Sequence, residues 1–229
     1  MTTVGLVGGL GPESTIDYYR RIIEVWQRDD PSSAPSIVID SLDVTRGIHL
    51  VETDRQGLIE YLMASLRRLA GAGADFIAMT ANTPHIVFDE LDVQSPVPLL
   101  SIVETCAQEA KRLGRTRLAL LGTRFTMEAP FYPTVFERYG MEIIPPKKEE
   151  RDWVHDRYMN ELLKGQFRDE VREDVVSLIA RLRDDEGIDG VILGGTELTL
   201  LLSAPVIASV PALDTTALHV NAIVKRLQQ

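Results

Sequence analysis

The chain has very little cysteine and no long apolar run. Only one of its 229 residues is cysteine, Cys106, which excludes a disulfide within the chain. No apolar stretch approaches the roughly 20 residues that a membrane-spanning helix needs. The N-terminal residues also lack the basic region and apolar core of a secretory signal. These absences predict a cytoplasmic protein without a membrane partner.

Basic residues are outnumbered as well. The chain has 24 Lys and Arg residues and 34 Asp and Glu residues, so its net charge is −10. Such a surface repels phosphate-rich molecules, so we expect no nucleic-acid partner. The four histidines have no metal-site spacing to one another, and no cluster of His, Cys and acidic residues indicates zinc or iron. We therefore expect no metal.

Short runs of Val, Ile and Leu alternate with segments of helical period. Near-continuous apolar strands indicate burial on both faces, which is typical of parallel sheets covered by helices. The fold class is predicted to be α/β. Residues 29–35 and 149–152 are predicted to be surface loops. The predicted strands are 4–7, 36–39, 76–79, 99–102, 117–121, 142–144, 190–193 and 210–213.

Two turns of small polar residues follow predicted strands, at 79–85 and 193–198. They are 114 positions apart (195 − 81), and the same offset relates Gly8 to Gly122. Two different turns that share one offset indicate an internal duplication. We predict an N-terminal α/β lobe of residues 1–97 plus 209–229 and a C-terminal lobe of residues 98–208.

The first glycine turn partly matches a dinucleotide-binding motif. Gly9 and Gly11 follow a strand, but Ser14 stands at the third glycine position, and no acidic residue lies at the end of a predicted strand about 20 positions further on. These departures argue against nucleotide binding. The turn is interpreted either as a tight strand-to-helix connection or as a helix N-terminus that suits a carboxylate.

Six short motifs occur in order along nearly the whole chain. They are Gly8–Thr15 (GGLGPEST), Ala81–His85 (ANTPH), Leu121–Met127 (LGTRFTM), Lys164–Gly165, Gly195–Glu197 (GTE) and Asp214–His219 (DTTALH). Together they resemble the cofactor-independent aspartate/glutamate racemase family. The resemblance implies two flavodoxin-like lobes with parallel sheets, related by a pseudo-twofold axis, with a ligand cleft between them. It also implies a homodimer and an isomerase of amino-acid metabolism without pyridoxal phosphate or another cofactor.

The family mechanism places one cysteine on each side of the substrate α-carbon, where one removes a proton and the other returns one. By resemblance, Ala81 and Gly195 occupy these two thiol positions. Neither side chain can exchange a proton, so racemisation by two thiols is excluded. Cys106 falls in a predicted helix, 104–112, and is interpreted as a buried apolar residue. The chain is then a divergent member with other chemistry, a pseudoenzyme or an engineered sequence.

The remaining candidate residues fall into three groups. Short polar groups at strand ends would hold the α-carboxylate and amino group, unless they only cap the following helices. Two cations would face a distal carboxylate, although exposed cations are usually only solvated. Three further residues are candidate acid–base groups; of these, Asp43 is alternatively a partner of the substrate amine, and Glu197 an organiser of its turn. The strand-end groups are Gly8, Asn82, Thr83, Thr123, Thr126 and Thr196. The two cations are Lys164 and Arg46, and the acid–base candidates are His85, Asp43 and Glu197.

Three functions remain open on the sequence alone. The first is an isomerase or related lyase acting on a small acidic amino acid or dicarboxylate. The second is a binding module that kept the carboxylate site and lost the chemistry. The third is an enzyme for a larger substrate that uses the space left at Ala81 and Gly195.

Overall fold

The computed structural model describes residues 2–229, which form two compact units. The first unit runs through Ile102 and also includes His219–Gln229, and the second is Val103–Leu218. Each unit contains its own β-sheet.

The helices and strands alternate along the chain. The strands are β1 (Thr3–Gly8), β2 (Ser36–Ser41), β3 (Phe76–Met79), β4 (Leu99–Leu100), β5 (Arg117–Leu121), β6 (Glu142–Ile144), β7 (Gly190–Leu193), β8 (Val206–Ile207) and β9 (Val210–Asp214). The helices are α1 (Pro12–Asp29), α2 (Val44–Thr53), α3 (Arg55–Gly71), α4 (Phe88–Gln94), α5 (Ile102–Arg112), α6 (Arg124–Glu128), α7 (Phe131–Glu137), α8 (Lys148–Asn160), α9 (Asp169–Glu186), α10 (Thr196–Leu201) and α11 (Thr215–Leu227). Two 3₁₀ helices cover Thr83–Val87 and Leu162–Lys164.

The first sheet has the strand order β2-β1-β3-β4, and all of its pairs are parallel. Its central strands β1 and β3 are almost completely buried, as near-continuous apolar strands require. Strand β4 is shorter than predicted, because Ile102 already begins helix α5.

The second sheet has the order β6-β5-β7-β9-β8. Its first four strands are parallel, and β8 pairs antiparallel with β9. Strand β8 was not predicted, because it has two residues and one of them, Val206, is exposed. The prediction of an α/β fold with two parallel-sheet lobes is confirmed.

Equivalent elements of the two units keep the offset seen in the sequence. Strands β3 and β7 begin at residues 76 and 190 and end at residues 79 and 193, which is the same 114-position spacing. Strands β1 and β5 occupy matching places beside β3 and β7 in their sheets. The two strand-end turns therefore follow equivalent strands.

The C-terminal segment is divided differently from the predicted lobes. Strand β9, which the sequence placed in the first lobe, pairs with β7 and lies in the second unit. Only the chain from His219 onward belongs to the first unit. There Val220, Ile223 and Val224 pack with Val4 and Leu6 in one apolar core. The apolar face of α11, rather than the strand before it, returns to the first unit.

Residues 149–152 are not a loop but the first turns of α8. The backbone N–H of Lys147 donates to Glu150 Oε2 at 2.8 Å, and Lys148 Nζ pairs with Asp152 at 2.6 Å. Acidic residues in a first turn interact favourably with the helix dipole. The predicted loop is therefore the start of a helix.

Candidate functional site

The glycine turn after β1 has no space for larger residues. Gly9 has a φ of +81°, and a β-carbon on it would overlap the carbonyl oxygen of Leu42. Its N–H donates to Thr15 Oγ1 at 2.9 Å. The neighbouring Ser14 hydroxyl donates to the carbonyl of Thr80 at 2.8 Å. The turn after β1 is thereby fixed to the turn after β3.

The turn after β3 carries Ala81, Asn82 and Thr83, of which the first two are buried. His85 follows them and is buried as well. Its Nδ1 lies 3.1 Å from the carbonyl oxygen of Ala81, and its Nε2 accepts from the backbone N–H of Ile102 at 3.3 Å. Both ring nitrogens of His85 are therefore engaged with the backbone, with the proton on Nδ1.

Burial keeps His85 uncharged. It lowers the pKa of His85 to about 3, with a smaller contribution from His219. His219 is similar: its Nδ1 lies 3.0 Å from the hydroxyl of Tyr18, its Nε2 lies 3.0 Å from the carbonyl of Leu100, and burial lowers its pKa to about 4. In the first unit, the two neutral histidines therefore bind backbone groups, and His219 also binds Tyr18 of helix α1.

Asp43 and Arg46 lie at the start of α2, and both are exposed. The Asp43 carboxylate accepts from the N–H groups of Thr45 at 2.8 Å and Arg46 at 3.2 Å, so it caps the helix. The Arg46 guanidinium lies 4.6 Å from the centre of the Tyr61 ring. Local contacts account for the positions of both side chains.

In the second unit, Thr123 follows β5 and caps the short helix α6. Its Oγ1 accepts from the N–H of Thr126 at 3.3 Å and lies 3.2 Å from the Thr126 hydroxyl. The turn after β7 is adjacent, since the N–H of Gly194 donates to the carbonyl of Leu121 at 2.7 Å. The structure thus brings Thr123, Thr126 and the 194–197 turn together at the carboxyl ends of two neighbouring strands.

The space beside Gly195 is filled by Tyr158 of helix α8. A β-carbon at residue 195 would overlap Tyr158 Cε2 and would lie 3.0 Å from the Tyr158 hydroxyl oxygen. Tyr158 is only 5% exposed, and it packs in the core of the second unit with Val154, four residues earlier on the same helix face. A side chain larger than hydrogen at position 195 does not fit beside this ring.

Tyr158 is also bound to Glu197, which is 2% exposed. The phenol O–H donates to Glu197 Oε2, and the Thr196 hydroxyl donates to the same oxygen at 2.9 Å. Burial raises the pKa of Tyr158 well above its usual range, and the neighbouring Glu197 charge adds to this effect. The turn after β7 therefore contains a buried pair of a phenol and a carboxyl group.

Lys164 ends the 3₁₀ helix Leu162–Lys164 and is exposed. The next residue, Gly165, has a φ of +73°, which reverses the chain. Before it, the buried Glu161 is paired with Arg157 at 2.6 Å and with Arg168. These contacts fix the turn that carries Lys164.

Sequence reasoning missed Tyr158, which is the side chain in closest contact with Gly195. Its helix was partly interpreted as a loop, and tyrosine is absent from the motifs that carried the resemblance. The spacing of Val154 and Tyr158 was the available signal, because residues four apart share one face of a helix.

Within residues 2–229, no group of three or more His, Cys, Asp or Glu side chains is placed to hold a metal ion. Among the helices of this range, none has both the length and the apolar character of a membrane span.

Cys106 lies inside α5 and is completely buried, as its predicted position in a helix suggested. Burial raises the pKa of its thiol far above the usual range. We expect iodoacetamide to alkylate it at least about tenfold more slowly in the native protein than in urea, because the thiolate is the reactive form. Mass spectrometry measures both rates. Equal labelling in the two states would contradict this placement.

Two α/β units with equivalent parallel sheets, each with a polar turn after its second central strand, define a duplicated α/β protein. The sequence model of the Asp/Glu/Hydantoin racemase family matches residues 7–223. The chain belongs to this family.

The relatives include solved structures over the full length. An aspartate racemase homologue from Pyrococcus horikoshii OT3 is 34% identical, with all of both chains covered and a TM-score of 0.85. A candidate Asp/Glu racemase from Yersinia pestis is 35% identical, again with all of both chains covered, and has a TM-score of 0.89. The broad specificity amino-acid racemase RacX from Bacillus subtilis (strain 168) is 27% identical over 145 residues, 62% of this chain. That alignment spans 63% of RacX, less than two thirds of its length.

Proposed function

We propose that this protein binds a small acidic amino acid or a related carboxylate at its strand-end turns, and that it does not invert the ligand by exchange between two thiols. The observation that carries the proposal is at Gly195, where Tyr158 fills the space that a cysteine side chain would need. Family membership supports a small amino acid as the ligand. RacX is a broad specificity amino-acid racemase, and the Pyrococcus horikoshii protein is an aspartate racemase homologue.

The polar groups at the turns support carboxylate binding. Buried hydroxyl groups of Thr123, Thr126 and Thr196 lie at the carboxyl ends of β5 and β7. Ligands of α/β proteins bind at this end of the strands. The capping role of Thr123 is compatible with this proposal, because a helix cap and a ligand donor can occupy one turn.

We assign the acid–base role to Glu197 rather than to His85 or Asp43. Both ring nitrogens of His85 bind backbone groups, and the Asp43 carboxylate caps α2 at the surface. Glu197, in contrast, is buried beside Gly195 and Thr196. The acid–base chemistry of this protein is therefore proposed to lie in the turn after β7.

Isothermal titration with L- and D-aspartate, L- and D-glutamate and succinate tests the binding proposal. A ligand at about 100 times its Kd should also raise the free energy of unfolding by about 2.7 kcal/mol. Thr196→Val should weaken binding of an amino acid by about 10- to 100-fold, the effect of one lost hydrogen bond from the ligand ammonium group to the Thr196 hydroxyl oxygen. Thr199→Val is the matched control, because its buried hydroxyl donates instead to the carbonyl of Thr196 at 2.8 Å. Absence of binding for every compound would overturn the proposal.

A further inference from the structure

We propose that Tyr158, with Glu197 behind it, exchanges the α-hydrogen of the bound amino acid, and that it does so on one face of the α-carbon only. This inference rests on the proposed function, since it requires a bound amino acid. It assigns Tyr158 as the catalytic residue and Glu197 as the residue that accepts the proton through it.

The first observation is the position of the phenol. The Tyr158 hydroxyl oxygen lies 3.0 Å from the point that a β-carbon of residue 195 would occupy. A cysteine sulfur would be attached at that same point. The phenol therefore places an O–H group in the volume where the family resemblance puts the second thiol.

The second observation is the carboxyl group that receives the phenol hydrogen bond. Glu197 Oε2 accepts from Tyr158 and from the Thr196 hydroxyl. Both donors leave the carboxylate negative and hold it in one orientation. An isolated buried phenol would have no group to take its proton, whereas this phenol has one in direct contact.

The proton path balances within this pair. The α-carbon–hydrogen bond breaks, its electron pair stays on the substrate, and it is delocalised into the substrate carboxylate. The hydrogen forms a new O–H bond on Tyr158 while the original phenol proton passes to Glu197 Oε2. Tyr158 is a neutral phenol before and after the step, and Glu197 changes from carboxylate to carboxylic acid. The reverse path restores the substrate.

A neutral phenol as the resting state agrees with its surroundings. Burial and the Glu197 charge both raise the pKa of Tyr158, so phenolate does not accumulate at neutral pH. The transfer to Glu197 must then accompany the removal of the substrate hydrogen. This coupled transfer uses the direct hydrogen bond between the two residues.

The restriction to one face follows from the single phenol–carboxylate pair beside Gly195. Tyr158 approaches a bound α-carbon from one side. A proton removed by Tyr158 is therefore replaced by Tyr158 from the same side. The removed hydrogen is then the phenol proton of Tyr158, and it exchanges with solvent before the return step. Heavy water should therefore introduce deuterium at the α-carbon without changing the configuration.

The experiment measures α-deuterium incorporation by NMR in heavy water, for each enantiomer that the titration shows to bind. Wild type should label one enantiomer of a ligand and leave its configuration unchanged. Tyr158→Phe keeps the ring beside Gly195 and should lower the exchange rate by about 100-fold or more. Glu197→Gln should do the same, whereas Glu197→Asp should recover part of the rate, with ligand affinity within about threefold of wild type in each case.

Tyr139→Phe is the matched control. The Tyr139 hydroxyl also donates to a carboxylate, that of Glu104 on α5, and neither residue belongs to the turn after β7. Its exchange rate should equal that of wild type. Binding without any deuterium incorporation by wild type overturns this inference and leaves the proposed function intact, whereas absence of binding overturns the proposed function. Unchanged exchange in Tyr158→Phe or in Glu197→Gln also overturns it, so either variant alone decides the matter when the other fails to fold.

Discussion

Gly195→Ala should destabilise the second unit by about 1–3 kcal/mol, the usual effect of an extra carbon in a filled core. The new β-carbon would overlap Tyr158 Cε2. The ring cannot easily move away, because Tyr158 is buried and its hydroxyl is bound to Glu197. The free energy of unfolding in urea measures the effect.

The double variant shows whether the overlap is the cause. Tyr158→Ala alone should cost about 3–5 kcal/mol through the cavity that it leaves. The double variant Tyr158→Ala/Gly195→Ala should be destabilised by about 0.5–3 kcal/mol less than the sum of the two single variants, because the overlap is then absent. Gly190→Ala at the start of β7 is the control, because its β-carbon would come no closer than 3.3 Å to its nearest neighbour, the end of the Leu118 side chain. A neutral Gly195→Ala, or strict additivity, would contradict the packing of Tyr158 against residue 195.

Lowering the pH from 7 to 5 should cost the first unit about 4 kcal/mol through His85 and His219 together. Burial lowers the pKa of these side chains to about 3 and about 4, whereas an unfolded histidine titrates at about 6.5. Below pH 6.5 the unfolded chain binds protons that the folded chain does not. The contribution of the two histidines to the free energy of unfolding is therefore fully present above about pH 6.5, and it is lost as the pH falls toward 4.

The contribution of each histidine is about 2 kcal/mol over this interval, and it can be isolated by substitution. His85→Gln should lower the stability at pH 7 but should remove about half of the loss between pH 7 and pH 5. His49→Gln, at an exposed histidine, is the matched control for the substitution itself. Chemical denaturation at both pH values gives the comparison. A pH dependence of His85→Gln equal to that of wild type would show that His85 is not buried as a neutral ring.

The sheets were predictable because their signal is local. Strands such as β3 (Phe-Ile-Ala-Met) and β7 (Gly-Val-Ile-Leu) are short apolar runs, and both strands have the predicted bounds. Burial on both faces imposes this composition on a central parallel strand. The duplication was also visible, since equivalent strands kept one offset.

The contacts of the candidate site were less predictable, because they join segments distant in sequence. Tyr158 and Glu197 lie on different helices, and no motif connects them. The glycine at position 195 appeared as empty space, whereas the structure places the Tyr158 ring there. The chain from His219 onward lies in the first unit because apolar side chains of α11 pack there, whereas β9 pairs with β7.

Chiral chromatography after long incubation tests most directly whether the filled position at residue 195 has replaced two-thiol chemistry. L-aspartate, D-aspartate and both enantiomers of glutamate should each emerge with their starting configuration, even where deuterium has entered. Conversion of either enantiomer of any of these amino acids into its mirror image by the purified protein would contradict exchange on a single face by Tyr158 and Glu197.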